Sequence, residues 1–386
     1  MVSGFDGLAN ELEQIRLKGL YRSRRVVSSP QGVNVEIDRK QLVNFSSNDY
    51  LGLANDPEVV KSFKKACDNY GVGSGSAHLI CGHSRSHHAL EEELAEFTGR
   101  ERALSFSTGY MANMGVISAL LGRGDQVLED RLNHASLLDG GLLSGARFKR
   151  YIHNDLDNLN NKIQPIDGRT LMVTDGVFSM DGDLALLPEL SALAAEKNAW
   201  LMVDDAHGLG VLGDTGGGVL QHYGLRQQDV PVLVGTLGKA FGTFGAFVAG
   251  SDLLIETLIQ KARAYIFTTA LPAAVAEATR TSLKLVIADN WRRDKLNQLV
   301  KRFRAGAGQL GLSMMPSDSA IQPLLIGDSL QAVKISEKLL DKGFLISAIR
   351  PPTVAKGEAR LRITFSASHQ ERHVDQLLDA LDSIAI

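Results

Sequence analysis

From about residue 46 onward, short apolar runs alternate with longer stretches whose apolar positions recur at helical spacing. The candidate strands are Ala103–Ser107, Gln126–Glu129, Leu171–Thr174, Trp200–Asp204, Val232–Gly235 and Ala246–Ala249. Strands that alternate with helices build βαβ units, so the pattern predicts an α/β fold with a mostly parallel central sheet flanked by helices. Ahead of this region, Leu8, Leu12 and Ile15 predict a short amphipathic helix ending near Gly19. A basic stretch follows, then the segment GVNVEIDRKQLVNFSS, whose period-two alternation reads as a hairpin. After about residue 280 the pattern changes. A charged helix (NWRRDKLNQLVKRFRAGAGQL) leads to the strand AIQPLLIG, the helix SLQAVKISEKLLDKG, the strands FLISAI and ARLRITF, and a last helix expected to end at Ile386. The expected organisation is an N-terminal helix and hairpin over 1–45, a large α/β domain over 46–280 and a smaller α+β domain over 281–386.

Composition adds mainly exclusions. At 386 residues the chain exceeds what one core usually holds, which agrees with two lobes. It is 44% hydrophobic and 22% charged, values ordinary for a soluble globular protein. A net charge of -3 gives no broad basic surface, so nucleic acid is not an expected partner despite the local cluster Arg22, Arg24 and Arg25. No apolar run approaches the roughly 18–20 residues that cross a bilayer, and no membrane association is expected. The opening segment MVSGFDGLANELEQIRLKGL lacks the apolar core of a signal peptide. With Cys67 and Cys81 as the two cysteines, a cytoplasmic location with unpaired thiols is expected.

Candidate chemistry gathers at the carboxyl ends of the predicted strands, where open α/β sheets bind ligands. In LSFSTGYMAN, Gly109 permits a sharp turn into a helix whose first N–H groups suit a phosphate, with Tyr110 beside it. In WLMVDDAHGLG, Asp204 and Asp205 end an apolar strand just before His207. A carboxylate there is costly without a positive partner, and a protonated pyridine nitrogen is one such partner. In PVLVGTLGKAFGTFGAFVAG, Lys239 follows a strand among Gly238, Ala240 and Gly242, small neighbours that leave room for a group on its amine. Partial burial would lower its pKa and favour a Schiff base with an aldehyde cofactor. Thr236 is placed to add a hydroxyl to a phosphate.

Two other patterns point elsewhere and are set aside. Gly208–Gly213 fits GxGxxG, but the DTGGG that follows does not open a helix and no acidic strand end comes at the required distance. His83, His87 and His88 crowd one stretch without an HExxH or a zinc-spaced cysteine pair, so no metal is expected, and Leu90, Leu94 and Phe97 are expected to turn that helix to the core. A metal-dependent hydrolase using Asp204, Asp205 and His207 is the alternative from a different class.

Taken together, GTLGKAFG, VDDAHGLG, TDGVFSMDGD, NFSSNDYLGL and LNHASLLDG resemble the α-oxoamine synthases, which are fold-type I pyridoxal-phosphate enzymes. The resemblance runs from about residue 20 to the C-terminus. Within the family, Ile349–Val354 with ARLRITF, and Gly73–Leu79, are similar to the members that join L-alanine to a pimeloyl thioester in biotin synthesis. The glycine-using members typically carry Arg where this chain has His78, and they usually lack Pro351-Pro352. A glycine and acetyl- or other acyl-CoA activity is the alternative within the family.

The resemblance implies pyridoxal 5'-phosphate bound covalently to Lys239, with Asp204 on its pyridine nitrogen and His207 at its ring oxygen. His134 would stack on the ring and touch the substrate carboxylate. Gly109, Tyr110 and Thr236 would hold the phosphate, with Thr268 or Thr269 reaching it across a homodimer interface, and Ser179 would touch the cofactor. Asn48 and Arg362 would anchor the amino acid, while Thr353 and Arg22 would face the acyl substrate, carried by CoA or by acyl carrier protein. Phe267 stands where members often have Tyr, which removes one hydroxyl.

Overall fold

A computed structural model describes residues 4–384; the expected end of the last helix at Ile386 lies outside the described residues. Contacts divide the chain into two compact units. One holds the chain up to Ser47, Met180–Gly182 and everything from Leu296 onward; the other holds Asn48–Ser179 and Asp183–Lys295.

The larger unit is built on a seven-stranded sheet. From edge to edge its strands are Arg102–Phe106, Ala246–Gly250, Val232–Thr236, Trp200–Asp204, Thr170–Asp175, Gln126–Asp130 and Arg147–Tyr151. Ala246–Gly250 alone runs against its neighbours. Both faces are covered, and the alternation of side chains along each strand splits its apolar residues between two cores. Leu171, Val173, Met202, Val232 and Val234 join Val116, Ile117 and Leu258 on one side. Met172, Leu201, Val203 and Leu233 join Leu187, Leu190 and Val219 on the other. Two-sided burial explains why these strands read as near-continuous apolar runs. Arg147–Tyr151 (RFKRY), by contrast, gave no strand signal. It is an edge strand whose first four residues are exposed or half-buried, so its sequence is mostly basic.

The smaller unit contains the hairpin Asn34–Ile37 with Lys40–Asn44, closed by Asp38 and Arg39 at φ 52° and 64°. That two-residue turn has both central residues left-handed, matching the twist of the flanking strands. Val43 pairs in parallel with Phe344. The N-terminal hairpin therefore shares a sheet with the C-terminal region instead of standing as a segment of its own. A second sheet orders Ile321–Gly327, Ala359–Thr364 and Ser347–Ile349. The helix Ala273–Ala288 and the chain to Lys295 belong to the larger unit, beyond the expected limit at 280. Arg280 there is salt-bridged to Glu93 at 2.7 Å, and Thr281 donates to Ser62 Oγ at 2.8 Å, ties that no periodicity reveals.

Candidate active site

Five strand ends of the larger unit bring the candidate residues together. After Arg102–Phe106, Thr108 caps the helix Gly109–Leu120, its side chain accepting the Met111 N–H at 3.2 Å. The first N–H groups of a helix have no partner within it, so this terminus is a seat for an anion. Tyr110 is partly exposed there, its hydroxyl donating to Asp139 and its ring edge-on to His134 at 6.3 Å.

After Gln126–Asp130 the chain turns so that the His134 N–H donates to Asp175 Oδ2 at 2.8 Å. His134 Nδ1 lies 2.7 Å from Ser136 Oγ. Burial pulls the His134 pKa down; the Lys239 ammonium acts the same way and the Asp204 carboxylate opposes it. The imidazole is therefore neutral near neutral pH.

At the end of Trp200–Asp204 the two aspartates part company. Asp204 Oδ2 accepts from Asn113 Nδ2 at 2.6 Å and Oδ1 from the Ala206 N–H at 3.0 Å. Asn113 also donates to Ser136 Oγ at 2.9 Å, so one amide spans the Asp204 and His134 sides of the site. Asp205 turns away, its Oδ2 accepting the Val219 N–H at 2.8 Å. A Cβ on Gly218 or Gly208 would lie 1.8 or 2.1 Å from its carboxylate, so both glycines are there to let Asp205 in. Burial first, and then the Asp204 charge, push Asp175 well above the usual carboxylate range. Asp205 is likewise raised, chiefly by burial. Of the two candidates for a ring partner, the geometry favours Asp204.

Beyond Val232–Thr236, Lys239 Nζ lies 2.8 Å from His207 Nε2. His207 Nδ1 is 2.7 Å from the hydroxyl of fully buried Tyr50, which donates to Asn48 Oδ1 at 3.2 Å. Lys239, His207, Tyr50 and Asn48 thus form one hydrogen-bonded chain. The small residues beside Lys239 serve packing more than access. Gly242 has φ +65°, and a Cβ there would fall 2.3 Å from the Ala54 nitrogen, while Ala240 is buried under Gly210. Only Gly238 is open, with nothing nearer than 3.6 Å. Thr236 Oγ1 donates to Gly245 O at 3.2 Å and accepts the Gly238 N–H at 3.4 Å. Thr268 is half-buried and Thr269 exposed, and Phe267 lies under the Arg263 guanidinium at 4.8 Å.

Ser179 sits at the tip of a loop closed by the bridge between Val177 and Leu184. His153 ties this loop to the sheet: its Nδ1 is 3.1 Å from Asp130 Oδ1 and its Nε2 is 2.7 Å from Asp183 Oδ2. Burial alone would lower the His153 pKa, but hydrogen bonds to the two carboxylates outweigh it and raise it to about 9. A folded pKa above the unfolded value of 6.5 means that this tie stabilises fully below pH 6.5 and is lost as pH rises through about 9. The variant H153Q should lower stability by about 1–3 kcal/mol at pH 6.5. In parallel melting curves its gap from the parent should close by pH 10; a constant gap would show that the charge is irrelevant.

Arg22, Thr353 and Arg362 belong to the smaller unit. Arg22 and Thr353 are exposed, and Arg362 is buried on the strand Ala359–Thr364. Residues that the sequence reading passed over are Asn113, Tyr50, Ser136 and Asp175. Asn113 carried a signal, a lone amide on the core face of an otherwise apolar helix.

The site fits a pyridoxal phosphate on its own chemistry. A lysine amine, a buried carboxylate and a neutral imidazole converge beside a helix N-terminus, and buried Asn113 Oδ1 has no hydrogen-bond partner. The GxGxxG segment, in contrast, is a turn in which the Gly210 N–H donates to Gly216 O, and the next helix starts only at Gly218.

Comparison with known proteins agrees. The model of the family aminotransferase class I and II matches residues 40–381. The chain is 62% identical over 377 residues to the 8-amino-7-oxononanoate synthase of Thioalkalivibrio sulfidiphilus, covering 97% of this chain and 96% of that protein. It is 63% identical over 374 residues to that of Methylococcus capsulatus, covering 97% of each. Among solved structures, a serine palmitoyltransferase from S. paucimobilis with bound PLP superposes with a TM-score of 0.93 at 31% identity, covering 98% of this chain and 96% of that one. The 8-amino-7-oxononanoate synthase from Francisella tularensis gives 0.78 at 31%, covering 89% and 97%.

Proposed function

Because this chain belongs to the class I and II aminotransferase family and, within it, to the 8-amino-7-oxononanoate synthases, we propose that it condenses L-alanine with a pimeloyl thioester, releasing CO2 and the free thiol carrier, in the route to biotin. It is a pyridoxal-phosphate-dependent acyltransferase of fold type I. The observation that supports the residue roles best is the hydrogen-bonded chain from Lys239 through His207 and Tyr50 to Asn48, set beside Asp204.

Bound at these strand ends, pyridoxal 5'-phosphate supplies an aldehyde for the amino group and a ring that takes up the electron pair left when Cα loses its proton. Lys239 would hold the cofactor through its amine, and as a free amine it would be the base for the alanine Cα proton. His207, 2.8 Å from that amine, orients it and would contact the ring oxygen. Asp204, its carboxylate fixed by Asn113 and the Ala206 N–H, would keep a proton on the pyridine nitrogen. His134 would stack on the cofactor ring and touch the substrate carboxylate. The N–H groups of Gly109 and Tyr110, with Thr236, receive the phosphate; Thr268 or Thr269 of a second copy in a homodimer would complete it. Ser179 would reach the cofactor from its loop. Asn48 and Arg362 would hold the amino-acid carboxylate, and Thr353 and Arg22 would face the acyl chain. Holding both substrates in one site contributes on the order of 7–11 kcal/mol at best. Among the described residues no helix is long and apolar enough to cross a membrane.

Thiol release tests the reading. Cofactor-loaded protein should release thiol with L-alanine plus pimeloyl-CoA or pimeloyl-acyl carrier protein, and the ratio of the two rates identifies the carrier. Release only with glycine plus acetyl- or succinyl-CoA would move the chain to a sister activity. Release without any amino acid would return it to the hydrolases.

A further inference from the structure

The histidine-rich stretch His78–Glu91 takes no part in the chemistry above. Four imidazoles pack there: His83 lies 5.3 Å from His78, 5.7 Å from His87 and 5.8 Å from His88, centroid to centroid. Their nitrogens are not equally engaged. His87 uses both, Nδ1 accepting the Ser84 N–H at 3.0 Å and Nε2 lying 2.6 Å from Leu271 O, so it is fixed as part of a helix cap. His78 stacks on Tyr265 with centroids 5.0 Å apart, and its Nδ1 faces His83 Nδ1 at 3.0 Å. With the proton carried by His83 Nδ1 and donated to His78 Nδ1, His83 Nε2 offers its lone pair on the other side of the ring. There it meets Glu91 Oε2 at 4.0 Å.

Glu91 is held for such a role. Its Oε1 accepts both the Ser105 N–H at 2.8 Å and the Ser105 hydroxyl at 2.7 Å, which leaves Oε2 directed at His83. His88, one turn before Glu91 on the helix Arg85–Thr98, lies on the same face, and its side chain is 67% exposed and able to turn. Its exposed neighbour Glu92, at 3.5 Å, is the competing partner for that imidazole. One ligand atom each from His83, His88 and Glu91 lie within 4.8 Å of one another.

We propose that His83, His88 and Glu91 form a binding site for a divalent transition cation of the zinc type, separate from the strand-end site. Two imidazole nitrogens and one carboxylate oxygen are the donor set that borderline cations prefer, and three protein ligands leave the fourth tetrahedral position to water. At bonds of about 2.0–2.2 Å, ligand atoms around a tetrahedral ion stand roughly 3.3 Å apart, a closure that the exposed His88 supplies. The Ser105 contacts to Glu91 and the His78 contact to His83 are the outer hydrogen bonds that orient metal ligands. The spacing H-x4-H-x2-E is none of the usual zinc signatures, because His83 precedes the helix and only the fold brings it over His88 and Glu91.

Titrating Co2+ into tag-free, metal-stripped, cofactor-loaded protein tests the site. One equivalent should bind with visible d–d absorption of a low-coordinate ion, and Zn2+ should abolish that absorption. H88Q, a surface change outside the catalytic machinery, should weaken binding at least about tenfold and leave thiol release unchanged. Zn2+ should raise the melting temperature of the parent and not that of H88Q. The pair H83Q and H88Q is used because E91Q removes a buried group that Ser105 needs. Absence of the absorption, or binding of undiminished affinity in the H83Q/H88Q double variant, would overturn the site whatever the thiol assay shows.

Discussion

Lys239→Ala protein should fold, bind pyridoxal phosphate without a covalent link, and lose turnover by at least about 10⁴-fold. Truncation at Cβ removes the amine 2.8 Å from His207 Nε2 but leaves His207 bonded to Tyr50 and Tyr50 to Asn48. The turn around residue 239 is held by backbone, the Gly242 N–H donating to Lys239 O at 2.8 Å, so its shape survives the change. What disappears is chemistry: the covalent link at rest and the base for the Cα proton. Two measurements separate these. Borohydride treatment followed by denaturation should leave cofactor on the parent and none on the variant. Exchange of the alanine α-proton in D2O, without thioester, should stop in the variant. Near-normal thiol release by Lys239→Ala would sink the assignment of Lys239 and the mechanism with it.

The strand ends were legible because two-sided burial forces central parallel strands into apolar runs, and a Lys, Asp or His just past such a run has no reason of packing to be there. Trp200–Asp204 lies where the sequence pattern puts it. The edge strand Arg147–Tyr151 escaped because it has few buried neighbours to demand apolar residues. The supporting polar atoms were harder to read. Tyr50 and Ser136 are ordinary residues in sequence, and although Asn113 stands out as an amide on an apolar helix, only the fold sets it between Asp204 and Ser136, which lie far from it along the chain. Reading Gly238, Ala240 and Gly242 as room for the cofactor mixed two causes, since Gly242 answers to the backbone of Leu53 and Ala54. The grouping of the N-terminal hairpin with the C-terminal region had no local signal either, because contacts distant in sequence set it: the parallel pairing with Phe344–Leu345 and the packing of Phe45 on Phe344 and Phe365.

Asp204→Asn is expected to have the next largest effect, a fall in kcat of about 10²–10⁴-fold with the fold intact. The new amide keeps one acceptor, so it can accept from the Ala206 N–H while its NH2 group meets Asn113, whose amide can turn its unpartnered Oδ1 to accept, and the local hydrogen bonds need not be lost. It cannot hold a proton on a pyridine nitrogen by charge, and an unprotonated ring takes up the Cα electron pair poorly. Deuterium exchange at alanine Cα should therefore fall in step with thiol release, which places the loss at proton removal and not at the later attack on the thioester. Removing the Asp204 charge also removes one of the causes that raise Asp175 and Asp205, so both should move back toward the usual carboxylate range. Asp205→Ala is the contrasting variant. It deletes the acceptor for the Val219 N–H at 2.8 Å and should cost about 1–3 kcal/mol of stability, while protein that remains folded keeps most of its exchange rate. If the two variants traded phenotypes, Asp205 and not Asp204 would be the partner of the ring.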